Sequence, residues 1–211
     1  MKKIFLLLIM LFPITCYADS LLTVEFSSCI DGDTAQLVLN GENKKYRFLG
    51  INAPEMAKNG QSAEPYALDA SIFTCNSLKA ANKIQIEYDP NADRTDKYDR
   101  ELAWIYIDGE LFETKIVAKG LAAVDYIYDD NYLHVDELCN AETKASKAKL
   151  GIWSSGKEVG YCKGGAYTRK KTNEMVNSGI KYLLKSPLIV YIFFAVLVLY
   201  GLSKLKKSRR L

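Results

Sequence analysis

The chain has 211 residues and a formal net charge of +3, with 49% hydrophobic and 25% charged residues. The charge is unevenly distributed, because residues 19–162 carry a net charge of −9 and residues 163–185 carry +5. A domain at −9 repels phosphate, which excludes nucleic-acid binding by diffuse electrostatic attraction. Any phosphate binding must therefore come from a few aimed cations or from a bound metal ion.

The N-terminus has the pattern of a secretory signal peptide. Lys2 and Lys3 precede an apolar run, and Cys16 and Ala18 offer small side chains at the −3 and −1 positions of a cleavage site. The run is short for an uncleaved membrane anchor, and the residues before Cys16 are a poor approach to a lipidated cysteine. We therefore predict a signal peptide over residues 1–18.

Strand signals open the domain that follows, which we place at residues 19–162. Apolar and β-branched residues predict five strands, at residues 22–30, 34–39, 45–49, 83–88 and 101–107. Asp31-Gly32-Asp33 and Asn40-Gly41 turn the chain between the first three strands.

Helical spacing predicts three helices, over residues 64–78, 112–119 and 136–150. One face of the first helix carries Tyr66, Ala70, Phe73 and Ser77. Pro65 suits its first turn, Gly120 ends the second helix and Gly151 ends the third. The order β-β-β-α-β-β-α-α predicts a small five-stranded barrel with helices packed on it.

The C-terminal part has the pattern of a membrane tether. Residues 163–185 form a basic linker, residues 186–203 are free of charge, and residues 204–211 are basic again. Eighteen helical residues span about 27 Å, near the minimum for a bilayer core, and this run lacks the polar face of a core helix. We expect a transmembrane helix with a cytoplasmic tail. A sorting signal that is later removed would have the same pattern.

Four cysteines remain after signal cleavage, namely Cys29, Cys75, Cys139 and Cys162. An even number in an oxidising compartment predicts two disulfides, with three possible pairings. None has the close pairwise spacing of a zinc site, so we interpret all four as structural. The single histidine, His134, lies in a polar stretch and is interpreted as a surface residue rather than a ligand or base.

Four clusters could carry chemistry, although each has an ordinary structural interpretation by itself. Asp-Gly-Asp-Thr at residues 31–34 is typical of a hairpin turn. Arg47, followed by Gly-Ile-Asn-Ala-Pro-Glu at residues 50–55, is typical of a strand leading to a loop. Thr-Asp-Lys-Tyr-Asp-Arg at residues 95–100 would form a solvated hairpin, and residues 120–128 an aromatic patch over the core.

Together, in this order and with these separations, the clusters resemble the staphylococcal nuclease (thermonuclease) family. The resemblance runs over residues 24–153. It implies an α+β, mainly β fold, a five-stranded OB-fold barrel with three packed helices, followed here by the expected transmembrane helix. It also implies an endonuclease that hydrolyses DNA and RNA with little sequence preference to 3′-phosphate ends.

The resemblance implies a Ca²⁺ site made by Asp33, the side chain of Asn52 and the main-chain carbonyl of Ala53, with Asp31 as an outer neighbour. Hard oxygen ligands suit this ion. The family usually has aspartate in place of Asn52, so we expect weaker calcium binding. Two unit charges 4 Å apart near a protein surface interact by about 4 kcal/mol, and water offsets part of the loss of this attraction to calcium.

The implied catalytic groups are Glu55, which activates or orients the attacking water, and Arg47 and Arg100, whose planar forks grip the phosphate. Asp99 stands where the family commonly has glycine, and it adds negative charge near the phosphate. The implied substrate-binding rim, whose aromatic faces are available to bases, consists of Lys97, Tyr98, Tyr126 and Tyr128.

A different class of function is a catalytically silent barrel that binds nucleic acid or a protein partner at the cell envelope. Asn52 and the charge of −9 favour it, whereas a binding module has no need of a buried carboxylate, Glu55, facing two arginines. A purely structural membrane-anchored domain leaves the same residues unexplained. We therefore expect an exported, membrane-tethered, calcium-dependent nuclease, monomeric and with nucleic acid as its partner.

Overall fold

The computed structural model describes residues 21–58, 60–129, 131–156 and 160–162. The expected signal peptide, basic linker, transmembrane helix and tail lie outside these ranges. Among the described residues we find no helix with the length and apolarity needed to span a bilayer.

The described ranges contain eight strands, five of which are long and match the predicted ones. These five are β1 (Leu22–Cys29), β2 (Thr34–Leu39), β3 (Glu42–Phe48), β5 (Ile84–Glu87) and β6 (Glu101–Ile107). Three further strands have two residues each, namely β4 (Ile51–Asn52), β7 (Glu110–Leu111) and β8 (Ala123–Val124).

The five long strands close into a barrel, as predicted. Antiparallel pairing joins them in the order β3-β2-β1-β5-β6. A short parallel ladder between β3 and β6 then closes the ring, with Tyr46 opposite Glu101 and Arg47 opposite Leu102. Closure leaves no free sheet edge in the ring, and the strand order is that of an OB-fold barrel.

Three helices pack on this barrel, namely α1 (Ala67–Ala80), α2 (Phe112–Ala118) and α3 (Val135–Lys147), and a 3₁₀ helix follows at Gly151–Ser155. Phe112 of α2 packs edge-on against Phe48 of β3, with ring centroids 5.7 Å apart, and stacks on Phe73 of α1 at the same distance. Burying side chains of this size stabilises the fold by roughly 1.5–3 kcal/mol each. The core therefore joins barrel and helices in one unit.

The first helix begins three residues later than predicted. Tyr66 adopts a left-handed φ of 68°, which is incompatible with a helical turn at this position. The face that α1 buries is also offset by about one position from the face named from the helical spacing, and the two share Ala70. The residues that α1 buries are Ala67, Ala70, Thr74 and Leu78.

The ends of the other two helices use the same backbone motif with different residues. Gly120, at φ 69°, ends α2 as predicted, with Leu121 N–H donating to Ile116 O at 3.1 Å. The prediction that α3 extends to Leu150 was wrong, because Lys149 adopts a left-handed φ of 54°. Gly151 instead lies against Gly120, where the two backbones approach too closely for a side chain.

Two disulfides resolve the pairing that the sequence left open. Cys29 of β1 bonds to Cys75 of α1, and Cys139 of α3 bonds to Cys162. The interpretation of His134 as a surface residue was wrong. Its Nε2 lies 3.0 Å from both the Tyr106 hydroxyl and a Glu87 carboxylate oxygen, and its ring is largely covered.

Candidate active site

Asp33 lies at the beginning of β2 and is almost fully buried. Its Oδ1 accepts a hydrogen bond from the Thr34 hydroxyl at 3.1 Å, and its Oδ2 accepts one from Ala53 N–H at 2.7 Å. Burial raises the pKa of Asp33 to about 6, an increase that Arg47 opposes and the charge of Asp31 enhances. Since desolvation penalises the ionised carboxylate, a cation beside Asp33 would favour ionisation.

The turn before Asp33 is fixed by close packing on α1. A side chain at Gly32 would meet the Cβ atoms of Ala53 and Ala70 at 2.6 and 2.8 Å, so only glycine fits. The Gly32 carbonyl accepts a buried hydrogen bond from the Thr74 hydroxyl at 2.7 Å. Asp31 Oδ1 accepts Asp33 N–H at 3.0 Å and completes the turn. Helix α1 thus supports the Asp33 carboxylate.

Asn52 is the last residue of β4, which pairs with β8, and Ala53 follows it in contact with Asp33. Asn52 lies opposite Ala123 and is partly exposed, and its side chain makes no hydrogen bond to the residues that the structure describes. Its amide oxygen is therefore available. The outer edge of β8 is held by Glu142, whose Oε2 accepts Val124 N–H at 2.6 Å, and burial raises the pKa of Glu142 to about 7.

Arg47 of β3 is buried, and its guanidinium is held on three sides. Its Nη1 donates to Phe48 O and its Nη2 to Ile51 O, both at 2.7 Å. Its Nε lies 3.1 Å from Asp33 Oδ1. A guanidinium has five N–H groups, so two remain available within the described part of the chain. Arg47 is thus a fixed fork beside the Asp33 carboxylate.

Glu55 does not occupy the buried position that we expected. It is exposed, and no described residue forms a hydrogen bond or ion pair with its side chain. The buried carboxylate that contacts Arg47 is that of Asp33, because β2 pairs with β3 directly after Asp33, whereas Glu55 begins a surface loop. Glu55 nevertheless follows Ala53 by two residues, and its carboxylate is open to water.

Arg100 is held by a local hairpin rather than by the barrel. Asp96 Oδ2 accepts Arg100 Nε at 2.7 Å and lies 2.6 Å from Nη2. Partial burial opposes ionisation of Asp96, but hydrogen bonds from Arg100 and Tyr98 outweigh it and lower the Asp96 pKa. Asp99 adopts a left-handed φ of 59° in this turn, a conformation that favours glycine.

Two of the predicted rim tyrosines lie near an arginine, Tyr126 near Arg47 and Tyr98 near Arg100. The Tyr126 ring centroid lies 5.4 Å from the Arg47 guanidinium carbon, and the Tyr98 centroid lies 5.5 Å from that of Arg100. Lys97 Nζ is 5.0 Å from the same Tyr98 ring. Tyr98 is 67% exposed, Tyr126 48% and Tyr128 82%. Each arginine therefore has an accessible aromatic face beside it.

The ladder between β3 and β6 brings the two arginines near each other. Arg47 lies opposite Leu102, and Arg100 directly precedes β6, two residues before Leu102. Both arginines are therefore adjacent to the same short ladder.

Sequence reasoning missed three supporting residues. Thr34 donates its hydroxyl to Asp33, Asp96 orients Arg100, and Glu64 accepts Glu55 N–H at 2.9 Å. Thr34 and Asp96 lie inside the motifs, and an aspartate four residues before an arginine is a recognisable ion-pair spacing. Glu64 carries no such signal, because its partner is a backbone group nine residues away.

The oxygen atoms that could bind a hard cation at this site are few. Asp33 contributes a buried carboxylate whose ionisation a cation would favour, Asn52 an amide oxygen without a partner, and Ala53 a main-chain carbonyl. All three are oxygens, which suits calcium. Within the described ranges, neither this site nor any other brings together three His, Cys, Asp or Glu side chains placed to hold a metal ion.

A closed OB-type barrel that holds a buried arginine against the Asp33 carboxylate is the framework of the candidate site. The family described as staphylococcal nuclease homologue matches residues 45–155, more than half of the chain. The chain belongs to the staphylococcal nuclease family, which confirms the resemblance.

Curated relatives extend this finding. The chain is 37% identical over 134 residues to endonuclease YncB of Bacillus subtilis (strain 168), covering 64% of this chain and 63% of that protein. It is also 37% identical over 134 residues to the SPbeta prophage-derived endonuclease YokF of the same organism, covering 64% and 45%. A thermonuclease of Staphylococcus hyicus is 34% identical over 126 residues, covering 60% and 72%. The chain thus spans less than two thirds of the length of the two Bacillus relatives.

Proposed function

We propose that this domain is a calcium-dependent phosphodiesterase, an endonuclease that hydrolyses DNA and RNA with little sequence preference to 3′-phosphate ends. The names of the three relatives, two endonucleases and a thermonuclease, support the nuclease class. The observation that carries the proposal is Arg47, a buried guanidinium fixed by three acceptors with two N–H groups to spare. A fork held in this way matches two oxygens of a phosphodiester.

The side chains have separate tasks in this reaction. Arg47 and Arg100 donate N–H groups to the phosphate oxygens and stabilise the charge that develops as phosphorus becomes five-coordinate. Glu55, exposed and without a partner among the described residues, orients the attacking water and accepts its proton, while the P–O5′ bond breaks and the departing 5′-oxygen takes a proton from water to leave as a hydroxyl. Tyr98 and Tyr126 offer faces on which bases stack.

Asp33, Asn52 and the Ala53 carbonyl would hold the calcium ion. Bound there, calcium adds positive charge that polarises the phosphate. This dependence accounts for the acidic surface, because binding relies on the ion and two arginines rather than on diffuse attraction. With only one formal charge among its ligands, the site should need calcium in the millimolar range.

Digestion of single-stranded DNA and of RNA by the purified domain tests the proposal. We expect cleavage with calcium, none with excess chelator, and product ends from which a phosphatase releases phosphate at the 3′ position. Glu55→Gln should lower the rate by at least about 100-fold, whereas Glu42→Gln, at an exposed glutamate of β3, should not change it. Chelator-resistant cleavage, or equal rates for the two variants, would reject the mechanism.

A second function, a catalytically silent module that binds nucleic acid or a protein partner, is favoured by one observation. Asn52 leaves a single carboxylate, Asp33, in the proposed metal set. A silent module would retain nucleic acid in a gel-shift assay with chelator present and release no fragments on adding calcium. Fragment release under those conditions decides for the enzyme.

We also propose that the domain is exported and tethered by residues 186–203 after loss of residues 1–18. The two disulfides support an oxidising compartment, and the charge pattern of the C-terminus supports an inward basic tail. Mass spectrometry of the protein from membrane fractions would test both points. A mature chain that begins at Met1, or that fractionates away from membranes with its tail intact, would refute them.

A further inference from the structure

The loop between β4 and α1 is closed by two hydrogen bonds between Glu55 and Glu64. Glu64 Oε2 accepts Glu55 N–H at 2.9 Å, and Glu64 N–H donates to Glu55 O at 2.9 Å. A short bridge between Lys58 and Gln61 lies inside the closed loop. The backbone of Glu55 is therefore bonded on both sides by one residue, whose carboxylate makes one of the two bonds.

Glu64 also connects Glu55 to the helix that supports Asp33. The Glu64 carbonyl accepts Ala67 N–H, in the first turn of α1, at 3.1 Å. The same helix donates the Thr74 hydroxyl to Gly32 O and packs against the turn before Asp33. Helix α1 is thus a common platform for the Asp33 carboxylate and, through Glu64, for the Glu55 backbone.

The Glu55 side chain has no partner of its own among the described residues. Its position relative to Arg47 and Asp33 therefore depends on where its backbone is held. Pro54 leaves Glu55 N–H as the first amide after Ala53 that can be fixed by a hydrogen bond. The Glu64 carboxylate is the acceptor that fixes it.

We propose that Glu64 is a positioning residue for Glu55, a role that rests on the proposed function and extends it. Its carboxylate holds the first residue of the loop and thereby fixes the backbone from which the Glu55 side chain extends. Displacing a reacting group by about 1 Å can cost up to ~100-fold in rate. The loss of one exposed hydrogen bond should cost less, roughly tenfold in kcat.

Glu64→Ala and Glu64→Gln, each in the full disulfide-bonded domain, test this role. Glu64→Ala should lower kcat roughly tenfold with little change in KM or calcium midpoint, because substrate and metal contacts remain. Glu64→Gln keeps an acceptor oxygen and should restore kcat to within about twofold. In a Glu55→Gln background, Glu64→Ala should cause no further loss, because the group that it positions is gone.

Asp108→Ala is the matched control for stability. Asp108 Oδ1 accepts Asn82 N–H at 3.0 Å and Lys83 N–H at 2.9 Å, so it makes the same kind of bond in an exposed turn that does not contact Glu55. This variant should lose stability without a change in kcat. Amide hydrogen exchange adds a readout independent of activity, since Glu55 N–H should exchange faster in Glu64→Ala than in wild type.

Three results would overturn the role of Glu64. They are an unchanged kcat in Glu64→Ala, an equal loss in Glu64→Gln, and the same further loss in the Glu55→Gln background. A wild-type domain that does not cleave nucleic acid would reject the proposed function itself. In that case the hydrogen bond between Glu55 N–H and the Glu64 carboxylate is tested separately by hydrogen exchange. It would be refuted if Glu55 N–H exchanged at the same rate in Glu64→Ala as in wild type.

Discussion

Arg47 and Arg100 are both adjacent to the ladder between β3 and β6, yet the protein holds them by different means. Arg47 is buried, and the barrel supplies its three acceptors, two carbonyls and the Asp33 carboxylate. Arg100 is partly exposed, and its side chain is held by Asp96, four residues before it in the same hairpin. One arginine is positioned by tertiary structure and the other by local structure.

This difference implies different sensitivities. A buried ion pair is costly to break, because the remaining charge keeps its desolvation penalty. A partly exposed pair contributes little to folding even where it orients a catalytic group. Substitutions on the barrel side of the site should therefore lower both activity and stability. Substitutions on the hairpin side should lower activity with little change in stability.

The largest expected effect comes from replacing each arginine with lysine. Both Arg47→Lys and Arg100→Lys should lower kcat by roughly 100- to 1000-fold, because a lysine cannot form the bidentate fork. Arg47→Lys should also destabilise the fold by about 2 kcal/mol, and Arg100→Lys by no more than about 0.5 kcal/mol. Urea unfolding of both variants measures the two losses of stability. Equal losses would contradict the expected difference between the two arginines.

On the barrel side, Glu142 should make stability depend on pH. Its pKa is about 7 in the folded domain, against an ordinary value of 4.5, and its Oε1 has no hydrogen-bond partner in the described structure. The folded state then binds more protons, so stability is lost as pH rises from about 4.5 through 7. This shift corresponds to about 3 kcal/mol at most.

Glu142→Gln keeps an acceptor for Val124 N–H and removes the charge. The variant should be more stable than wild type at pH 8 and similar at pH 4.5, as measured by thermal unfolding across this range. Glu25→Gln, at an exposed glutamate of β1, should leave the wild-type pH profile unchanged. A Glu142→Gln profile parallel to that of wild type would exclude Glu142 as the cause.

A smaller effect is expected at the metal position. Asn52→Asp adds a second formal charge beside Asp33 and should lower the calcium midpoint of activity about tenfold, after water offsets part of the gain. Calorimetric titration of calcium into both forms measures this change. An unchanged midpoint would argue against Asn52 as a ligand.

The smallest effect is expected in the hairpin. Asp99→Gly should stabilise the domain by up to about 1 kcal/mol, because glycine adopts the left-handed φ of this position without steric strain. Asp99→Ala removes the carboxylate but keeps the strain, so it should bring no gain. Thermal unfolding of the two variants separates strain from charge, and equal gains would attribute the effect to charge.

Much of the fold could be predicted because its signals are local. Strands β2 and β6 have the predicted bounds, since β-branched and apolar runs end at turn residues. Gly120 ends α2 as expected, because glycine adopts the required left-handed conformation without strain. The end of α3 was missed because Lys149 adopts that conformation instead, which residue type alone does not indicate.

By itself, the sequence determined the order of strands and helices along the chain, the residues of the motifs and the family to which they belong, because alternation, turn residues and motif spacing are properties of the chain. Only the tertiary structure decided which cysteines pair, which face α1 buries, and that Asp33 rather than Glu55 is the buried carboxylate at Arg47. The physical reason is that burial and pairing depend on groups distant along the chain. Asp33 is desolvated by α1 and by Ala53, and neither is its neighbour in sequence.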